Sequence, residues 1–231
     1  TEISGQLLSV KTTVNQSVWI VEKNLSTPDS LRDILTAIVK NNSLIVGSGI
    51  AFIPEYYKEK GKYFMPYAFS INEGEEEIIN FLKLGGADYD YPCMDWYLIP
   101  KLLKKSYWSE PYYDTGGGNT IMSTYSFPLC NQQGEVYAIF TANISLSRFT
   151  DMVNELKPYQ SSYTFLLSRN GSFLTHPDRE KIMNETIFSV ALGKNDVQEE
   201  EIGRNILNGV TGTAQFNNAE QDSYALYTAI P

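Results

Sequence analysis

The 231-residue sequence is short of the residues that usually do chemistry: it has one histidine and two cysteines. One His and two separated Cys cannot supply the four ligands of a zinc site. Two cysteines are too few for a disulfide framework. Cys93 and Cys130 are left with two readings: a single bridge in an oxidising compartment, or two small buried hydrophobes. The sequence shows no nucleophile, base and orienting group at a recognisable spacing, and this argues against an enzyme. It also lacks any apolar run near the ~20 residues that cross a bilayer. Positive charge is scarce, with 18 Lys and Arg against 27 Asp and Glu and a net charge of −9. A nucleic-acid binder needs a basic stripe to neutralise phosphates. Here the one compact basic group, Lys101, Lys104 and Lys105, is flanked by acids. Nucleic acid and anionic lipid are therefore poor partners, and no cofactor is implied.

What is present is core-forming and aromatic. Hydrophobic residues make up 42% and charged residues 19%, so a packed fold is expected rather than disorder. The length suits one large domain or two small ones. Aromatics reach 13%, with 16 tyrosines. They crowd into YWSEPYYD at Tyr107–Asp114, a segment too polar for plain core and too aromatic for a plain loop. Rings with a polar tip suit the wall of a small-molecule site.

Periodicity gives the organisation. Ile3, Leu7, Val10, Val14, Ser17 and Val21 make a 3–4 stripe, which is an amphipathic helix. Such a helix can lie on its own domain, arrive from a membrane as a stalk, or pair with a twin. Thr27-Pro28-Asp29 reads as the capped start of a second helix, with Leu31, Ile34, Leu35, Ile38 and Val39 on its buried face. Residues 44–53 and 62–71 read as strands, with Pro66 marking an edge or a bulge. Residues 75–84 read as a short amphipathic helix closed by Gly85-Gly86. Residues 95–105 read as a helix interrupted near Pro100. Residues 120–129 and 136–145 form an antiparallel pair, and residues 146–156 a helix that Pro158 stops. A shorter unit then repeats the scheme: strands at 163–167 and 172–175 around an Asn170-Gly171 turn, a helix at 199–207, and strands at 211–216 and 223–230. The unit boundary is placed near residues 157–162.

Several motifs have plain readings. His176-Pro177-Asp178 reads as a turn at a strand end. Gly116–Gly118 lacks the G-K-[ST] of a phosphate loop and reads as a flexible connection. Asp88 and Asp90 suggest glycosidase chemistry only if two acids face each other across a cleft. The acidic runs at 75–77 and 199–201 read as solvated helix faces.

The run W-x-E-P-Y-x-D at Trp108–Asp114, T-Y-S-x-P-L at Thr124–Leu129, A-I-F-T-A-N-I-S-L at Ala138–Leu146 and S-R-N-G-S-F-L-T-H-P-D at Ser168–Asp178 together resemble the double Cache family. These are extracytoplasmic sensor domains of bacterial transmembrane receptors. The resemblance implies an α+β fold: a stalk helix at 1–26, a membrane-distal PAS-like ligand-binding module at 27–157, and a membrane-proximal PAS-like module at 158–231 lacking its last strand. Each module is a central antiparallel sheet with flanking helices. Membrane helices and an output domain such as a histidine kinase, phosphatase, cyclase or chemoreceptor module would lie outside the chain, which reads as the periplasmic piece of an inner-membrane protein. A homodimer through the first helix is compatible with this.

The resemblance also supplies site residues. Tyr89, Trp96, Tyr97 and Tyr112 match aromatic positions of the family's amino-acid-binding branch. Met94 stands where that branch has an arginine for the ligand carboxylate. Asn143 stands where it has an aspartate for the amine. A guanidinium–carboxylate fork has no neutral substitute. The expected ligand is therefore a small molecule other than a free α-amino acid, neutral or weakly polar, lined by Tyr89, Met94, Trp96, Tyr97, Trp108, Tyr112, Asp114, Ser123, Tyr125 and Asn143. Alternatively, Asp95 and Asp114 could hold a cationic group stacked on rings. Of Trp96 and Tyr97, adjacent on a helix, one is expected at the ligand and the other in the core. The competing readings are a non-binding spacer domain and a secreted hydrolase.

Overall fold

A computed structural model describes residues 2–73, 76–87, 89–155, 159–217 and 222–230. The chain divides into two compact units, Thr1–Phe149 and Thr150–Pro231. Both are α+β.

The first unit opens with helix α1 (Glu2–Lys23), whose Val10, Val14 and Val21 are fully buried. The middle and end of the 3–4 stripe pack inside this unit, Ile3, Leu7 and Ser17 are half-buried, and Leu8 and Trp19 stay exposed. Helix α2 (Leu31–Asn41) buries Leu31, Leu35, Ile38 and Val39 at helical spacing. Thr27 does not cap it. A 3-10 turn, Pro28–Ser30, intervenes, and the Thr27 hydroxyl donates back to the Asn24 carbonyl. The Thr27 hydroxyl is instead engaged by the Asn24 carbonyl and the Ser30 hydroxyl.

Seven strands form one antiparallel sheet: β1 (Ile45–Phe52), β2 (Met65–Glu73), β3 (Glu76–Leu84), β4 (Tyr107–Trp108), β5 (Tyr112–Tyr113), β6 (Ile121–Cys130) and β7 (Val136–Ser145). The order is β3-β2-β1-β7-β6-β4, with β5 also on β6. Between β3 and β4 lies helix α3 (Asp95–Leu103), with Pro100 inside it. Two expectations are corrected. Residues 76–84 are a strand, not a helix, and pair with β2 along their whole length. The pairing gives Phe81 a place under the Arg32 guanidinium of α2, 5.4 Å from the ring centre. Cross-strand packing of this kind overrides a weak helical preference. Pro66 lies in an interior strand, not at an edge. It faces Lys83 of β3, beyond the β1–β2 register that runs from Gly49–Tyr67 to Gly47–Phe69.

The pleat gives the sheet two functions. One face turns to α1 and α2: Tyr125 of β6 donates to Asn15 Oδ1 of α1 at 3.4 Å. The opposite face carries Gly47, Gly49, Tyr67, Thr124 and Asn143, and is covered by a cluster that includes Tyr89, Tyr91, Trp96 and Tyr97.

Helix α4 (Leu146–Glu155) carries the chain across the division between the units. The second unit contains β8 (Leu166–Leu167), β9 (Phe173–Thr175), α5 (Ile187–Lys194), α6 (Val197–Leu207), β10 (Gly212–Asn217) and β11 (Asp222–Tyr227). Helix α5 was not anticipated; Thr186 and Ser189 close a capping box at its start. Among the described residues the strands form two separate hairpins, β8–β9 and β10–β11, rather than one central sheet. Phe173, Ile187 and Val190 make a small core. His176 is structural: its Nδ1 accepts from the Asp178 N–H at 2.9 Å and its ring packs 5.0 Å from that of Phe173. Cys93 and Cys130 are both free, and neither is a buried hydrophobe: Cys93 is exposed and Cys130 half-buried. Glu75, Asp88 and residues 156–158, all named in the sequence reading, lie outside the described residues.

Candidate ligand site

The middle of the site face is floored by backbone. Gly47 and Gly49 of β1 lie between Phe69 and Tyr67 on β2 and Asn143 and Thr141 on β7. A Cβ at Gly49 would stand 2.9 Å from Tyr67 Cδ2, and one at Gly47 would collide with Tyr67 Oη. The Tyr67 ring therefore lies across β1, using the space two side chains would fill. At its far end Asn143 Nδ2 donates to Tyr67 Oη at 2.9 Å. Beside it the Thr141 hydroxyl accepts from the Gly49 N–H at 3.2 Å and donates to the Gly49 carbonyl at 3.1 Å, pinning this floor.

The connections above the sheet supply the rim. Tyr89 Oη donates to Asp114 Oδ1 at 2.7 Å, and the Gly118 N–H donates to Asp114 Oδ2 at 2.8 Å. The glycine segment is thus held to the site, and is not merely a flexible link. A Cβ at Gly117 would meet both Asp114 Oδ2 and the Tyr67 ring. The Tyr112 and Thr124 hydroxyls share a bond of 2.8 Å. Met94 Sδ accepts from Trp96 Nε1 at 3.1 Å. Trp96 and Tyr97 are both buried in the same cluster, so adjacency on α3 does not divide them between ligand and core. Lys101 rests its ammonium 5.2 Å from the Tyr97 ring centre.

Charge is scarce here. Asp114, 1% exposed, is the only buried charged side chain among the described residues. Its two donors are neutral, and among the described residues it has no ion-pair partner. Burial, and then the Asp114 charge, hold the Tyr67 and Tyr89 hydroxyls well above the usual tyrosine range. Burial alone pushes Tyr97 up to about 12. These hydroxyls stay protonated and act as neutral donors and acceptors.

Three buried oxygens of the face and its cover have no hydrogen-bond partner: Asn143 Oδ1, Ser126 Oγ and Tyr97 Oη. Leaving a buried acceptor unmet costs about 1–3 kcal/mol. Asn143 Oδ1 can only accept, so it marks a place where a donor is expected, whereas the two hydroxyls can give or receive.

The structure brings Tyr89, Met94, Trp96, Tyr97, Tyr112, Asp114 and Asn143 to this face. It does not bring Trp108, Ser123 or Tyr125. Trp108 pairs with Tyr125, their rings 5.4 Å apart on the α1 side. Ser123, one residue from Thr124, has the opposite parity, and its hydroxyl donates to the Ser109 carbonyl. Asp95 is exposed at the start of α3 and does not join Asp114. Tyr67, Thr124 and Ser126 also lie on this face. Parity relative to Asn143 along paired strands was the signal that could have found them.

Residues 31–151 match the family described as methyl-accepting chemotaxis protein-like, first PDC sensor domain. The methyl-accepting chemotaxis protein PscA of Pseudomonas syringae pv. tomato is 30% identical over 97 residues. That match covers 42% of this chain and only 15% of PscA. Among solved structures, methyl-accepting chemotaxis protein X superposes with a TM-score of 0.77 at 18% identity, over 99% of this chain and 88% of its own. The ligand-binding domain of the Pseudomonas aeruginosa PAO1 amino acid chemoreceptor PctB, in complex with L-Arg, superposes with a TM-score of 0.60 at 17% identity, over 82% of this chain and 70% of its own.

Proposed function

The chain belongs to the methyl-accepting chemotaxis protein-like, first PDC sensor domain family, and we propose that it senses a small molecule that carries no carboxylate and donates a hydrogen bond. It is an extracytoplasmic sensor domain, and any catalytic output would lie in other parts of the receptor. The distal module, residues 27–157, is the receiving part, and the glycine-floored face is its site.

The observation that carries this reading is the pairing of an unmet acceptor, Asn143 Oδ1, with a buried anion, Asp114, on a face with no buried cation among the described residues. A ligand carboxylate placed there would lose its counter-ion, at a cost on the order of 2–5 kcal/mol. A neutral donor satisfies Asn143, and an amine would in addition balance Asp114. The likeness to PctB at 17% identity carries the fold, not the ligand. Met94 and Asn143 replace the two charged groups that the resemblance assigns to amino-acid recognition.

Signalling follows from differential affinity: the ligand favours whichever arrangement of the rim and sheet it binds better. Strand β6 bears Thr124 on the site face and Tyr125 on the α1 face, so a shift of that strand is felt by the helix. The decisive experiment is a thermal-shift screen of alcohols, amides, alkylamines and the standard amino acids. Stabilisation by alcohols, amides or amines, with amino acids silent, is the expected result. A ligand at 100 times its dissociation constant adds about 2.7 kcal/mol. Micromolar binding of any standard amino acid overturns the reading, and no hit at all favours a spacer domain.

A further inference from the structure

Tyr67 is almost completely buried, comes from β2, and yet makes its polar bond on β7, with β1 between them. Two strand spacings of about 4.8 Å separate the strands. The ring spans them because Gly47 and Gly49 have no side chains where it lies. A tyrosine meant only to fill space would not need its hydroxyl carried to one particular amide. We propose that Tyr67 sets the polarity of the site: by taking one Asn143 Nδ2–H bond across two glycines, it holds the amide with Oδ1 free to receive a hydrogen bond from the ligand. This rests on the reading that a ligand binds over this face.

The two ends of an asparagine amide have the same shape, and the hydrogen-bond network decides which end points where. Asn143 has one bonded end, Nδ2, and one unmet end, Oδ1. The network fixes that choice through the Tyr67 hydroxyl. Asp114 lies close by, since one Cβ added at Gly117 would meet both Asp114 Oδ2 and Tyr67 Cε1. The negative charge favours the Tyr67 O–H dipole turned toward Asp114, which leaves an oxygen lone pair for the Asn143 N–H. Reversing the amide would put the Asn143 oxygen against that lone pair. Tyr67 is therefore a positioning residue. It selects ligands that offer N–H or O–H over ligands of similar shape that only accept.

The test uses the whole 231-residue chain, labelled with 15N, as wild type, Tyr67→Phe and Gly47→Ala. The Asn143 side-chain amide is assigned by its loss in Asn143→Ser. Cyclohexanol and cyclohexanone serve as matched probes, one donating and one only accepting. Wild type is expected to show two distinct, solvent-protected Asn143 amide protons and to bind the alcohol about tenfold more tightly than the ketone, the value of one net hydrogen bond. Tyr67→Phe removes the hydroxyl and Gly47→Ala displaces it; in both, the bonded amide proton shifts and the alcohol preference falls to within about threefold. Unchanged amide signals together with an unchanged preference overturn the proposal. If neither probe binds wild type, the amide signals of the variants alone decide the role of Tyr67, and the thermal-shift screen decides the ligand-binding reading separately. If either variant misfolds, solvent exchange in wild type decides: an unprotected Asn143 amide overturns the proposal and a protected one upholds it.

Discussion

The Tyr57 hydroxyl donates to the Leu25 carbonyl at 2.6 Å, fastening the turn after α1 to the loop that follows β1. Burial holds this hydroxyl well above the usual tyrosine range, so it remains a donor. Its ring stands edge-on to Phe52 and Phe64, at 4.9 and 5.5 Å between centres. Tyr57→Phe keeps the ring contacts and removes only the bond, at a cost of about 1 kcal/mol. Calorimetry should show a melting temperature lower by roughly 2–4 °C. An unchanged melting point would show that the fastening contributes nothing to stability.

Glycine substitutions should divide sharply by position. An alanine at Gly49 meets Met65 Cε at 2.8 Å and Tyr67 Cδ2 at 2.9 Å, so one of them must move, at about 1–3 kcal/mol. Gly5, inside α1, has nothing within 4 Å of an added Cβ. There alanine should stabilise the helix by about 0.5–1 kcal/mol. Urea unfolding of the two variants should move the midpoint in opposite directions, and movement in the same direction contradicts the close approach at Gly49.

Restoring the charged pair should create an amino-acid receptor. Met94→Arg with Asn143→Asp is expected to bind L-alanine in a calorimeter where wild type gives no heat. Asn143→Asp alone places a second carboxylate near buried Asp114, and like charges resist joint ionisation. That single variant should be less stable than wild type at neutral pH in urea unfolding. Binding of L-alanine by wild type itself would remove the premise.

The second unit should weaken in acid. Burial, with Lys181 nearby, holds the His176 imidazole below its ordinary value of 6.5. As pH falls, the unfolded chain takes up this proton first, so folding stability declines as pH drops through 6.5 and on through the lowered folded value. Above that window the contribution is constant. Hydrogen exchange at the β8–β9 amides should be faster at about pH 5.5 than at about pH 7.5 after correction for intrinsic rates, and His176→Gln should remove the difference. A slope that survives the substitution assigns the effect elsewhere.

Periodicity revealed what local patterning dictates. The stripe through Val10, Val14 and Val21 gave α1, and the alternation around Thr124 and Asn143 gave the central hairpin of β6 and β7. It failed at β3, where Ile78-Ile79-Asn80-Phe81 suits either period and the choice is made by β2, distant from any local signal. The candidate site was half visible. Tyr89, Tyr112, Asp114 and Asn143 came from motif resemblance, whereas Ser123 and Tyr125 lie on the opposite face, one residue of parity away. Tyr67 could not be found from its own neighbourhood. What makes it special is the emptiness of Gly47 and Gly49 on the next strand, and that appears only once β1 and β2 are in register.

Bare main chain at the deepest part of the face narrows the ways in which recognition can drift. Nothing remains there to trim, and anything added evicts the ring lying over it. On the proposed reading, adaptation to a new chemical cue proceeds through the walls, at Tyr89, Met94, Tyr97 and Tyr112. The bottom would pass unaltered from one specificity to the next.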